Sequence, residues 1–267
     1  LTTDLRARDA GPAGPFRPIA THIGDLSMIA PSRVAARAHK RGVTALTFIL
    51  LALCATQAMA HNVTEGDAGY IQEIWGVNLI PFMYLGAKHM FTGYDHLLFL
   101  LGVLFFLYRL RDVVVYVSLF TLGHSLTLLA GVLWGIQANP FVVDAIIGLS
   151  VVYKAFDNMD GFRRYLGFQP NTKYAVLTFG LFHGFGLATT LQEYTLSQAG
   201  LLTNMLSFNV GIELGQIFAL TGVLIGLAYW RTREGFLKHA FVTNAALMVG
   251  GFILMGYQIV GFFVNAS

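Results

Sequence analysis

Apolar residues in this chain run in long blocks, and short polar segments separate them. Six blocks stand out, at approximately Leu79–Tyr108, Val113–Trp134, Phe141–Phe156, Tyr174–Leu191, Met205–Trp230 and Ala240–Val264. Blocks near 20 apolar residues match the hydrocarbon thickness of a bilayer when helical. No stretch alternates at period two, as a strand of a membrane barrel would. The pattern predicts an all-α fold, a polytopic transmembrane helical bundle of six spans. The first block is the longest and contains Gly93. It has room for a re-entrant or interfacial piece before that glycine.

A shorter apolar run, Val43–Ala55, follows Arg33, Arg37, Lys40 and Arg41 and precedes Ala58-Met59-Ala60. A basic region, a short apolar core and an A-x-A site together describe a cleaved signal peptide, here residues 31–60. Cleavage makes His61 the mature N-terminus. Residues 1–30 are polar, without apolar periodicity, and read as disordered or as an upstream extension, with Met28 a candidate start. Residues 61–76 form a short polar segment on the outer side, and residues 77–267 the transmembrane domain.

The basic residues orient the bundle. Arg109 and Arg111 follow the first span; Arg163, Arg164 and Lys173 separate the third from the fourth; Arg231, Arg233 and Lys238 separate the fifth from the sixth. The other two loops, Gly135–Pro140 and Gln192–Asn204, contain no Lys or Arg. Basic loops stay cytoplasmic. Six spans with both mature termini periplasmic, in a bacterial inner membrane, satisfy this alternation and agree with the export signal.

Composition supports the membrane reading. Of 267 residues, 55% are hydrophobic and 12% charged, against about 25% charged in soluble domains. The single cysteine, Cys54, lies in the signal segment, so neither a disulfide framework nor a thiolate metal site is available. No nucleotide-binding glycine loop and no nucleic-acid signature is present.

Against this apolar background the ionisable residues carry the chemistry. The run His89-Met-Phe-Thr-Gly-Tyr-Asp95-His96 heads a strongly apolar segment. His89 and His96 are two turns apart on a continuous helix, hence on one face, unless Gly93 breaks the helix and separates them onto two pieces. Span two contains His124 within Gly123-His124-Ser125-Leu126-Thr127, and span four His183 between Phe182 and Gly184. Span five contains Asn209, Glu213 and Gln216, which share a helical face. Each group has a plainer reading. A lone histidine finds a hydrogen-bond partner in a packed interior, Ser125 and Thr127 bond their own helix, and the span-five trio fixes helix packing. Asp144 reads either as an outer cation-attracting group or as an N-terminal helix charge. Lys154 is expected to snorkel to the interface, with Asp157, Asn158 and Asp160 as the solvated helix end. Taken together, His89, Asp95, His96, His124, His183 and Glu213 place imidazole and carboxylate on four spans with little else ionisable nearby. That donor set suits a borderline divalent transition metal.

His89-x5-Asp95-His96 resembles the HX5DH signature of the HupE/UreJ family of bacterial membrane proteins, regarded as nickel permeases serving hydrogenase and urease. The following DHLLFLLG, the GHSLTL of span two and the FNVGIELGQ of span five are similar as well, so the resemblance covers most of the mature chain. It implies a cleaved signal peptide and about six spans. The family's second motif is FHGxAHG. Here it reads FHGFGLA, keeping His183 but placing Gly186 and Leu187 where Ala and the second His would stand, which marks a divergent branch.

The expected function is transport of a divalent transition metal, nickel first, with cobalt and copper behind. Zinc is a further candidate as a bound ion. The expected partners are membrane lipid, the metal, and a metalloenzyme or second copy of the chain, with no nucleic acid. Two alternatives stand beside it. One is an intramembrane zinc-dependent hydrolase, three His and an acid holding zinc with an open position for water; a serine-hydrolase reading of Gly-His-Ser is set back because Leu126 follows Ser125 where a rhomboid-type protease has glycine. The other is a membrane assembly or metallochaperone partner of a metalloenzyme.

Overall fold

The computed structural model describes residues 75–194 and 196–266. The signal segment and the proposed start at His61 lie outside the described residues. Among the described residues the α-helices are α1 (Leu79–Thr92), α2 (Tyr94–Leu104), α3 (Leu110–Trp134), α4 (Pro140–Asn158), α5 (Thr172–Gln192), α6 (Leu201–Arg231) and α7 (Phe236–Ala266). A single π-turn, Phe162–Leu166, separates α4 from α5. The helices α3, α5, α6 and α7 are long and apolar enough to cross a membrane. The chain is therefore a helical membrane protein.

Local chemistry explains the boundaries. Pro140 opens α4 at its first turn, where its missing N–H is no loss, and Asn139 Oδ1 accepts from Val142 N at 3.2 Å. Asn171 caps α5 in the same way, accepting from Lys173 N at 3.0 Å. Helix α3 ends on Gly135 in the left-handed conformation. The exposed faces carry Leu122, Leu126, Ile217, Phe218, Phe241, Val249 and Phe252, an apolar surface suited to lipid.

The first block is not one helix. It breaks at Gly93 into α1 and α2, and α2 stops at Leu104, short of the expected limit at Tyr108. The Arg231 guanidinium, from the end of α6, donates to the carbonyls of Leu104, Phe105 (2.8 Å) and Leu107 (2.9 Å). It thus occupies the carbonyls that a continued helix would use. The Tyr108 ring lies 4.6 Å from the same guanidinium.

Three helix pairs hold the bundle: α1 with α6, α3 with α5, and α4 with α7. In lipid, helices associate by close packing rather than by hiding apolar surface, so small residues decide where they meet. The first two pairs use the same joint. On α6, Gly211 and Gly215 lie against the carbonyls of Met83 and Ala87, and Gly86 of α1 lies against Phe208 O. On α5, Gly180 and Gly184 lie against the carbonyls of Phe120 and His124, and Gly123 of α3 lies against Leu177 O. In each case two glycines four apart seat two carbonyls four apart, and a third glycine answers from the partner helix. The α4–α7 pair meets through Gly148 and Gly251.

Two sequence expectations at the C-terminal end of α4 are corrected here. Lys154 does not snorkel out; it is 8% exposed, its stem lies against Gly102, and Nζ pairs with Asp157 Oδ2 at 2.5 Å. Asp157 and Asn158 are not a solvated end. Asp157 also accepts from Gln169 at 2.5 Å, and Asn158 Nδ2 donates to Gly102 O and Asn244 Oδ1, both at 2.8 Å. The physical reason is the docking of α2 against α4, which covers this surface and leaves the polar groups to satisfy one another. Asp144 is partly buried, beyond the first turn of α4, and accepts from Gln258 of α7 at 3.2 Å.

The joints predict a paired outcome. Gly211→Ala sets a methyl on the Met83 carbonyl and is expected to lower stability by about 1–3 kcal/mol, the usual range for overpacking. Gly222→Ala, on the same helix but with nothing within 4 Å, is expected to be neutral or to gain up to about 1 kcal/mol from helix propensity. Thermal unfolding of the two purified variants in detergent compares them directly; equal midpoints would remove the joint from the account.

Candidate metal centre

The break at Gly93 builds the centre. Seven residues along an unbroken helix rise about 10 Å, so His89 and His96 would stand well apart on one face. With α2 set at an angle to α1, their ring centroids lie 5.1 Å apart, edge to face. Gly93 is needed here for space. A Cβ on it would meet His96 Nδ1 at 2.9 Å and His89 O at 3.1 Å. Its N–H closes α1 on His89 O at 2.8 Å.

Beside the break, His96 Nδ1 is 2.8 Å from Asp95 Oδ1. A carboxylate accepts, so the imidazole proton sits on Nδ1 and Nε2 carries the lone pair. His183 is set the same way by its own helix, with Nδ1 donating to Phe179 O at 2.7 Å. His96 occupies the middle of the group, with centroid distances of 4.7 Å to His183 and 5.5 Å to His124. Asp95, His96, His124 and His183 are buried, and His89 is partly so. Phe99 and Phe120 close the apolar side, Phe120 lying 5.0 Å from the His183 ring. Sequence reasoning passed over both, although Phe99 follows His96 by three residues and Phe120 precedes His124 by four, helical spacings for a shared face.

Two groups of donors emerge. One ligand atom each from His89, His96 and His124 lie within 4.8 Å of one another, and so do one each from Asp95, His96 and His183. His96 belongs to both. His124 is the most telling member: it is 0% exposed, and neither ring nitrogen has a hydrogen-bond partner among the described residues. A buried polar group without a partner costs about 1–3 kcal/mol. The hydrogen bond that a packed histidine would make is not found for His124 among the described residues. Thr127 does follow the plainer reading, bonding Gly123 O at 3.1 Å, but it also reaches Leu181 O of α5 at 2.7 Å.

The structure does not bring Glu213 into this cluster. Helix α6 turns its glycine face to α1 and its buried face, with Ile212 and Gln216, to the interior, which leaves Glu213 exposed on the shoulder beside α3. There it lines a groove with Thr121, Ser125 and Gln216. Of the six residues expected to handle the metal, Glu213 is the one that belongs to neither donor group among the described residues. Of the trio at 209, 213 and 216, only Asn209 and Gln216 are buried.

These features define a class: a helical membrane protein whose interior holds a cluster of imidazoles oriented by a carboxylate and a backbone carbonyl. The chain belongs to the HupE/UreJ family, whose model, described as HupE / UreJ protein, matches residues 65–266. That family is associated with nickel and cobalt transport or with urease and hydrogenase maturation. No match was found among curated proteins or among solved structures.

His124→Leu separates packing from ligation. The change removes two buried nitrogens and keeps a similar apolar volume. The metal-free variant is expected to be as stable as the native protein, or more stable by about 1 kcal/mol. A drop of more than about 2 kcal/mol in chemical denaturation would mean that the ring is held by structure instead.

Proposed function

We propose that this protein moves a divalent transition metal ion across the membrane, with nickel the leading substrate and cobalt and copper behind it. The observation that carries the reading is His124, a wholly buried imidazole with neither nitrogen partnered among the described residues, set among three other histidines. Imidazole nitrogen is the ligand type these borderline ions prefer. The family membership supports the same reading.

In this reading His89, the partly exposed member, receives the ion together with His96 and His124. His96 is common to both donor groups, so the ion passes to Asp95 and His183 without losing every ligand at once. Asp95 acts mainly by holding His96 in the tautomer that offers Nε2. Exchange between overlapping groups of three donors keeps binding weak enough for release. A membrane potential of 100 mV, negative inside, favours entry of a dication by about 4.6 kcal/mol. A serine hydrolase gains no support, because Ser125 lines the α3–α6 groove, which no histidine lines. An accessory role in metalloenzyme maturation would use the same cluster for delivery.

We also read α1 with α2 as one broken span and α4 as a charged one, which makes six spans with both mature termini periplasmic in a bacterial inner membrane. Reporter fusions after Arg111, Pro140, Lys173, Gln198 and Lys238 are then expected to alternate, beginning inside. Two successive fusions on one side would overturn the topology.

Uptake of radiolabelled nickel, cobalt and copper into cells expressing the protein tests the function. At equal membrane abundance, His96→Ala is expected to lower uptake at limiting metal by about a hundredfold, and Asp95→Ala by about ten- to a hundredfold, the usual range for an orienting partner. His239→Ala, at an exposed position near the start of α7, is expected to leave uptake unchanged. Native uptake in both cluster variants would overturn the proposal.

A further inference from the structure

A second polar feature lies outside the imidazole cluster. Helices α3 and α6 enclose a groove of about 600 Å³, and Ser118, Thr121, Ser125, Glu213 and Gln216 supply its polar lining. Glu213 lies about 18 Å along α6, at a rise of 1.5 Å per residue, so its carboxylate sits at membrane depth. It has no salt bridge among the described residues, and no Lys, Arg or His lines the groove. Lipid tails cannot solvate a carboxylate there, and such groups are retained where they meet a cation or a polar cavity. Gln216 adds an independent sign. It is 1% exposed, lines the groove, and its Nε2 has no partner among the described residues.

We propose that this groove is a second cation site, built from oxygen for a monovalent alkali ion held by Glu213. Three arguments select the ion. The donors are a carboxylate, hydroxyls and an amide, with no imidazole or thiolate, which favours a hard cation over a transition metal. The groove holds one acidic residue, so a monovalent ion neutralises it, whereas a dication would leave uncompensated charge in a poorly solvating place. The amide can supply a further oxygen. Thr121 has a single hydroxyl hydrogen, yet both Val117 O at 3.0 Å and Gln216 Oε1 at 2.6 Å lie within its reach. With that hydrogen on Val117 O, a half-turn of the amide lets Gln216 Nε2 donate to Thr121 and turns Oε1 toward the groove.

The Gln216–Thr121 bond joins α6 to α3 one turn before His124. An ion at Glu213 therefore acts on the helix segment that positions His124. The alkali-ion site stands by itself; only its coupling to metal movement rests on the transport reading above. Coupling between two bound ligands is reciprocal, so whatever factor the alkali ion applies to nickel affinity, nickel applies to the alkali ion.

The test uses the whole protein in detergent, stripped of transition metal with a chelator. Unfolding midpoints are compared in sodium, potassium and choline chloride at equal ionic strength. The expected result is a saturable rise of about 5 °C in sodium or potassium over choline. The rise should vanish in Glu213→Gln and shrink in Ser125→Ala. Should Glu213→Gln fail to fold, saturable equilibrium binding of radioactive sodium or rubidium to the native protein supports the site, and its absence overturns it. Equal midpoints in all three salts also overturn the site. So does a midpoint that follows pH alone, which would make Glu213 a proton site. A change of oligomeric size in Glu213→Gln without any salt effect would overturn it as well, since the groove would then seal a subunit contact. Nickel affinity is then measured with and without the alkali ion. A rise of about fivefold or more supports coupling; an unchanged affinity beside an intact salt effect overturns the coupling and keeps the site. Loss of all nickel binding with the salt effect intact overturns the transport reading alone.

Discussion

Backbone meeting backbone at glycine is the contact on which the rest of this structure depends. Among lipid tails, two apolar helices gain little by hiding apolar surface from one another, so attraction comes from close atomic contact. Gly211, Gly215 and Gly86 bring α1 and α6 together, and Gly180, Gly184 and Gly123 do the same for α3 and α5. The histidines sit beside these joints. His124 contributes a carbonyl to the contact with Gly184, and His183 is the residue before that glycine. His89 is two residues past Ala87, whose carbonyl faces Gly215. The contacts that hold the helices thereby set the rings, and a shift in either joint would move a ligand.

The break at Gly93 supplies what the joints cannot. A continuous helix would carry His96 away from His89. Ending α1 and starting α2 at a new angle turns both rings, and Asp95 with them, toward α3 and α5. Helix interruptions at membrane depth are tolerated where the freed backbone groups find partners or line a cavity. Here Gly93 N–H bonds His89 O, and the far end of α2 finishes on Arg231. The result is a short helix fixed at both ends, carrying one imidazole into contact with three others.

Buried polarity is sorted by partner. At the C-terminal end of α4, Lys154 pairs with Asp157, and Asn158 with Asn244 and Gly102 O, bonds that stabilise the docking of α2. At His124, and at Gln216 beside Glu213, the pairing stops short. A protein interior satisfies its polar groups unless something else is to satisfy them. These are the two positions at which ions are proposed above, a transition metal at the nitrogen cluster and a harder cation in the oxygen groove.

By itself the sequence determined the helical membrane class, the apolar blocks that became α3, α5, α6 and α7, and the identity of the imidazoles. Block length, spacing and residue chemistry are one-dimensional properties, and each is readable without a partner. The sequence raised a break at Gly93 without deciding it, because a glycine permits an interruption and only the space beside His96 requires one. Convergence of His89, His96, His124 and His183 was decided in three dimensions. A period of 3.6 states which residues share a face, but not which neighbour that face meets. The same limit accounts for Lys154, placed at the interface by its long stem until α2 covered it. It accounts for Glu213 too, which shares a face with Asn209 and Gln216 yet stands outside the cluster, because the glycines of α6 were committed to α1 and so fixed how far the helix turned.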